Sequence, residues 1–127
     1  MAVVICNGKV LATVEDIYGK MVLSLPKGHV EQGETVLDAA IRECFEETDV
    51  KLSEQDTVKE LPSYSYDFTT PGGDVIRKTI SPILFYLNVE QTPCAKEKRI
   101  SKAEFMSIDE FLTNCPYDNV RKIFEQL

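Results

Sequence analysis

Metal-binding sulfur and imidazole are scarce in this chain. There is one histidine, His29, and the four cysteines (Cys6, Cys44, Cys94 and Cys115) lie 38, 50 and 21 residues apart with no CxxC pair. Zinc sites of the usual Cys/His kinds need ligands at short spacing, so the scatter argues against one. The cysteines read as reduced thiols of a cytoplasmic protein, because 127 residues can bury a core without disulfide staples. No apolar run approaches the roughly 20 residues of a membrane helix. Met1–Cys6 is too short for the core of a signal peptide and leads into a polar turn. Internal repeats, low-complexity stretches and interdomain linkers are also missing. The expectation is one domain over residues 1–127, with no membrane partner.

Basic charge is scarce too, since 14 Lys and Arg face 21 Asp and Glu, for a net charge of −7. That balance argues against extended nucleic acid held on a broad basic face. The excess is local. Glu31–Val50 holds seven acids against the single base Arg42, a charge of −6 within 20 residues. Such a knot is either a solvated helix face or a site for hard cations.

Ala2–Ile5 and Val10–Val14 are apolar and β-branched, and Asn7-Gly8 between them predicts a hairpin. Met21–Leu25 is a short strand stopped by Pro26, and Lys27–Gly33 a loop. Thr35–Thr48 has helical periodicity, with Glu34 and Asp38 at the positive end of its dipole. Thr57–Phe68 and Val75–Val89 read as two strands joined by Thr70-Pro71-Gly72-Gly73-Asp74, with Pro62 and Pro82 marking irregular or edge pairing. Gln91–Arg99 is a polar loop, Phe105–Ile108 a short strand, and Asp109–Thr113 and Asn119–Gln126 are helices. The order predicts an α/β fold with a mixed sheet between helices.

On a wheel of about 100° per residue, Val36, Leu37, Ala40, Ile41, Cys44 and Phe45 form the arc expected to pack on the sheet. Glu43, Glu46 and Glu47 share one face, and Glu47 falls at the margin of the apolar arc. Like charges at such spacing repel by a few tenths of a kcal/mol per pair even when solvated, and burial raises the cost. A divalent cation resolves the conflict, since clustered carboxylate oxygens on a rigid element suit Mg²⁺ or Mn²⁺.

The linear pattern is more specific. Gly28 is followed after five residues by Glu34, and after seven more by Arg42-Glu43-Cys44-Phe45-Glu46-Glu47-Thr48-Asp49-Val50. This resembles the 23-residue signature box of the Nudix hydrolases, with seven of nine defining positions matched: Gly28, Glu34, Arg42, Glu43, Glu46, Glu47 and Val50. Cys44 stands where a bulky aliphatic residue is usual, and Asp49 where the family has glycine. Asp49 reads as a tolerated left-handed helix cap rather than as a further metal ligand.

The resemblance implies an α/β/α sandwich and metal-assisted hydrolysis of a nucleoside diphosphate linked to another group. It assigns Mg²⁺ or Mn²⁺ to Glu43, Glu46 and Glu47 as catalytic ligands, with the Gly28 carbonyl adding one more. Glu34 and Arg42 tie the loop to the helix. The general base is Glu43 or, from the later loop, Glu97; Arg99 takes the place where the family's loop glutamate often stands. The approach Leu25-Pro26-Lys27-Gly28-His29 and Tyr66, 16 residues past Val50, resemble the asymmetric diadenosine tetraphosphate hydrolases. On that likeness Lys27 and Lys78 meet phosphate and Tyr66 stacks on a base, so the favoured partner is a dinucleoside polyphosphate. The alternatives are a nucleoside triphosphate pyrophosphatase and a non-catalytic nucleotide-binding module.

Overall fold

In the computed structural model, which describes residues 1–127, the opening β-branched runs form a hairpin. Strands β1 (Ala2–Cys6) and β2 (Lys9–Ile17) pair antiparallel across Asn7-Gly8. Both turn residues take positive φ, 51° and 75°, as a mirror-image turn requires if it is to follow the twist of its strands. Tyr18-Gly19 does the same at 50° and 84°, and returns the chain into β3 (Lys20–Ser24). There follow α1 (Val36–Thr48), β4 (Thr57–Glu60), β5 (Tyr64–Thr69), β6 (Val75–Ile80), β7 (Ile83–Tyr86), β8 (Ile100–Ser107), α2 (Ile108–Asn114) and α3 (Asp118–Ile123).

β2 organises the main sheet. It runs three residues beyond the expected Val14, with β8 along one edge and β1 and β3 sharing the other. β1 pairs parallel with β7, and β7 antiparallel with β4, so the six-stranded sheet is mixed. β8 is eight residues long rather than the short strand expected at Phe105, because Ile100–Glu104 extends the ladder along Ala12–Glu15 of β2.

The two strands expected over Thr57–Phe68 and Val75–Val89 are four. Pro62 and Pro82 have no N–H for a ladder, and each falls where one strand stops and the next begins. β4 and β7 stay in the main sheet. β5 and β6 leave it as a separate two-stranded ribbon, closed by Thr70–Asp74 and registered Tyr66 to Lys78 and Phe68 to Ile76.

Strand alternation divides the core in two. Val3, Val10, Ala12 and Leu84 face one layer with Phe111 of α2 and Val120 and Ile123 of α3. Ala2, Val4, Leu11, Ile83 and Phe85 face the other, with Ala40 and Cys44 of α1. The result is the α/β/α sandwich, α/β in class. No helix is long and apolar enough to cross a membrane.

Phe111 is fully buried, with its ring centroid 5.4 Å from that of Phe124. Phe111→Ala should cost about 3–5 kcal/mol, the range for an emptied aromatic site in a core. Urea unfolding would show it as a lowered midpoint at unchanged slope.

Candidate functional site

Helix α1 begins and ends on specific side chains. Thr35 is its N-cap: its hydroxyl accepts from the Asp38 N–H at 3.0 Å, and the Asp38 carboxylate accepts from the Thr35 N–H at 3.2 Å. Asp49 ends the helix in the left-handed region, φ 63°, and its N–H donates to the Phe45 carbonyl. Between these caps the buried face is rotated from the expected arc. The buried residues are Ala39, Ala40, Glu43, Cys44, Glu47 and Thr48, whereas Phe45 is only partly covered and carries the Lys96 ammonium 3.7 Å from its ring centroid. The rotation follows from what lies opposite. β2 presents Leu11, Thr13 and Glu15 on the α1 side, and the loop after β3 offers the Lys27 N–H, so polar side chains find partners there.

Arg42 bridges the loop before α1 to two carboxylates of its own helix. Its Nε and Nη2 donate to the two oxygens of Glu34 at 2.7 and 2.9 Å, and Nη2 also donates to the His29 carbonyl at 3.0 Å. Its Nη1 reaches Glu43 at 2.6 Å and Glu46 at 3.2 Å. The Arg42 hydrogen bond holds the Glu34 carboxyl below the usual carboxylate range. Loop and helix are thereby fastened together, the role expected of this pair.

Glu43, Glu46 and Glu97 each offer an oxygen within 4.8 Å of the others. Gly28 lies against this group: a Cβ built on it would fall 2.1 Å from the Glu43 carboxyl carbon, so only glycine lets the loop and Glu43 occupy this space together. Glu47 lies deeper, 1% exposed, and accepts from the Lys27 N–H at 3.0 Å. Burial raises its pKa to about 8. A set of hard oxygen donors carrying more negative charge than Arg42 can balance matches Mg²⁺ or Mn²⁺, so the residues present fit such an ion.

Beside the carboxylates lies a charged triad in which only Lys27 was a candidate from sequence. Glu15, 6% exposed on β2, accepts from Lys27 Nζ at 3.3 Å and from Arg99 Nη1 at 2.5 Å. Arg99 also donates to Glu97 at 3.2 Å. Alternation along β2 could have flagged Glu15, because it falls on the same face as Leu11 and Thr13. The expected strand stopped at Val14, one residue too early.

Tyr66 and Lys78 are cross-strand partners on the β5–β6 ribbon, and Tyr64, Tyr66 and Phe68 line one face of β5. Tyr64 and Tyr66 stack at 6.3 Å, Tyr18 stacks on Phe68 at 5.9 Å, and Lys78 Nζ sits 4.8 Å over the Phe68 ring. Burial raises the Tyr117 hydroxyl pKa first, and then the charges of Tyr66 and Glu15.

A NUDIX domain family model matches residues 1–127. The chain belongs to the Nudix family. A Mycobacterium tuberculosis protein provisionally named as the mutator protein MutT4 is 30% identical over 110 residues, 87% of this chain and 42% of that protein. The chain spans about two fifths of the length of the curated relatives it matches. A solved structure of a bifunctional NMN adenylyltransferase/ADP ribose pyrophosphatase from Francisella tularensis, complexed with AMP and Mn ion, superposes with a TM-score of 0.77 at 25% identity, covering 99% of this chain and 39% of that one. A Caenorhabditis elegans Ap4A hydrolase has the same fold, with a TM-score of 0.76 at 17% identity over 98% of this chain and 90% of that one.

Burial of Glu47 should make the stability of this Nudix domain pH-dependent. Its folded pKa of about 8 lies above the roughly 4.3 of an unfolded glutamate, so between these values the folded state holds the extra proton. With a chelator present, stability should fall as pH rises across that window, and the fall should be smaller in Glu47→Gln. Thermal midpoints of both proteins at pH 5 and pH 8 measure the difference: the variant gains on wild type at pH 8.

Proposed function

We propose that the chain, as one domain over residues 1–127, is a metal-dependent Nudix pyrophosphohydrolase that cleaves a phosphoanhydride bond of a nucleoside diphosphate linked to another group. Its favoured substrate is a dinucleoside polyphosphate such as diadenosine tetraphosphate. The observation that carries the reading is the trio Glu43, Glu46 and Glu97 within 4.8 Å on the face that Arg42 fastens to the Gly28 loop. Glu43, Glu46, Glu47 and the Gly28 carbonyl would hold Mg²⁺ or Mn²⁺, and Glu97, within 4.8 Å of Glu43 and Glu46, would add a further oxygen unless it serves as the base. Such an ion, when bound, neutralises phosphate charge and makes water a better nucleophile. The Francisella tularensis neighbour complexed with AMP and Mn ion supports both the ligand class and the cation.

The chain's own residues supply the remaining functions. Lys27 and Arg99, both tied to Glu15, present positive charge beside the carboxylates and can meet a polyphosphate. Tyr66 offers a ring face to a base, with Lys78 next to it. Glu43 or Glu97 takes the proton from the attacking water. Both stand in the carboxylate trio, and a base must be within hydrogen-bond reach of the proton it removes. In a cytoplasmic setting the substrate is a small nucleotide, with neither membrane nor extended nucleic acid required.

Glu46→Gln and Glu47→Gln should each lower turnover by several orders of magnitude while leaving metal-free stability level or raised, because the first relieves repulsion on the helix and the second removes the cost of ionising a buried carboxyl. Near-normal turnover in both would exclude the mechanism. The base is the residue, Glu43 or Glu97, whose Gln variant stays slow at saturating Mn²⁺; a lost ligand is partly rescued there.

A nucleotide panel with Mg²⁺ tests the substrate. Diadenosine tetraphosphate should yield ATP and AMP, whereas a nucleoside triphosphate pyrophosphatase releases monophosphate and pyrophosphate, and a binding module releases nothing. Tyr66→Ala should weaken dinucleotide binding by about 1–3 kcal/mol, the scale of aromatic–base stacking, and Tyr66→Phe far less. Equal dinucleotide affinity of wild type and Tyr66→Ala would remove the stacking assignment.

A further inference from the structure

Glu97 reaches the carboxylate trio from a segment with no regular structure, Gln91–Glu97, and the structure shows what steers it there. The segment follows the C-terminal end of α1 through successive attachments. The Gln91 side-chain amide exchanges two hydrogen bonds with the Lys51 backbone, each 2.8 Å. The Cys94 N–H donates to the Thr48 carbonyl at 2.8 Å. Lys96 Nζ then lies 3.3 Å from Asp49 Oδ1 and 3.7 Å from the centroid of the Phe45 ring. Glu97 is the next residue.

Asp49 is where the chain departs from the signature box. Glycine takes a left-handed cap without strain, and an aspartate at φ 63° costs more. Glycine also has no carboxylate to receive Lys96. Phe45, the helix residue that sequence analysis expected against the sheet, is turned out to meet the same ammonium.

We infer that Asp49, Lys96 and Phe45 form an anchor that holds Glu97 in the carboxylate trio, so that Asp49 and Lys96 are positioning residues. The inference rests on the trio being the divalent-cation site of the proposed function. Electrostatics alone gives it a distinctive sign. Removing the Lys96 charge beside a cation site would by itself tighten cation binding, whereas releasing the anchor loosens Glu97 and weakens it.

The test uses the full chain and Mn²⁺ alone, with free Mn²⁺ read by electron paramagnetic resonance and amide exchange followed over Cys94–Lys98. Lys96→Met should weaken Mn²⁺ binding about tenfold, the low end for partners that orient metal ligands. Asp49→Asn keeps a residue suited to the left-handed cap and removes only the charge; it should weaken binding in the same direction. Lys96→Arg should retain most of the affinity, and Lys96→Met should add nothing in a Glu97→Gln background. Exchange over Cys94–Lys98 should rise roughly tenfold in Lys96→Met and Asp49→Asn, with exchange in the core of α1 unchanged, as expected of a local opening.

Unchanged or tighter Mn²⁺ binding in Lys96→Met overturns the inference, with or without faster exchange. If wild type itself binds no Mn²⁺, the cation reading fails, and exchange alone decides whether the anchor pins the segment: faster exchange in both variants upholds it and unchanged exchange overturns it.

Discussion

The Arg42 guanidinium is the interaction on which the site depends. It is the one base in a 20-residue stretch with seven acids, and it is shared among Glu34, Glu43, Glu46 and the His29 carbonyl. Without it, Glu43 and Glu46, three residues apart on the helix, would repel one another and the loop before the helix would lose its fastening. The multiple hydrogen bonds raise the pKa of the guanidinium further, led by the bond to Glu34, so the charge is permanent. A lysine could not do this, because the planar fork is what grips Glu34 with two nitrogens while a third reaches Glu43 and Glu46.

Around that hub the protein accepts buried charge at two levels. Glu15 is compensated by Lys27 and Arg99, which makes it part of a satisfied triad on the floor of the site. Glu47 has only a backbone N–H as its hydrogen-bond partner, and burial pushes its proton affinity up. Leaving one carboxylate under-compensated weakens the domain alone, a cost that the cation of the proposed function would offset, since a ligand of the folded state stabilises it. Rigidity comes from the strands beneath, where β2 carries Leu11 into the α1 core and Glu15 into the site on the same face.

Charge at the C-terminal end of α1 works differently. There the pair Lys96–Asp49 is half-exposed and contributes little to stability as a surface ion pair. What it supplies is direction, because Lys96 precedes Glu97. The same logic separates the two cations of this region: Arg99, just before β8, bonds Glu97 itself, and Lys96 ties the preceding residue to Asp49 at the helix end, so the loop is fixed on both sides.

Periodicity and turn chemistry made much of this protein legible in its sequence. Asn7-Gly8 requires positive φ at two positions, so the first hairpin could be read locally, and Thr35–Thr48 carried its helical period. The box spacing located Gly28, Glu34, Arg42 and the glutamates, because residues three and four apart on a helix must share a face. Tertiary structure decided the rest. Helix rotation, which buried Glu43 and Glu47 and turned Phe45 outward, depends on what the sheet presents opposite α1 rather than on the hydrophobicity of the helix. The strand breaks at Pro62 and Pro82 sent β5–β6 into a ribbon of its own, where Tyr66 meets Lys78. Glu97 and Arg99 lie 82 and 84 residues from Glu15, and only the β2–β8 pairing brings them together beside the helix. A local pattern fixes what a residue's neighbours demand of it; which distant charge lies opposite is set by the ladder that joins the strands.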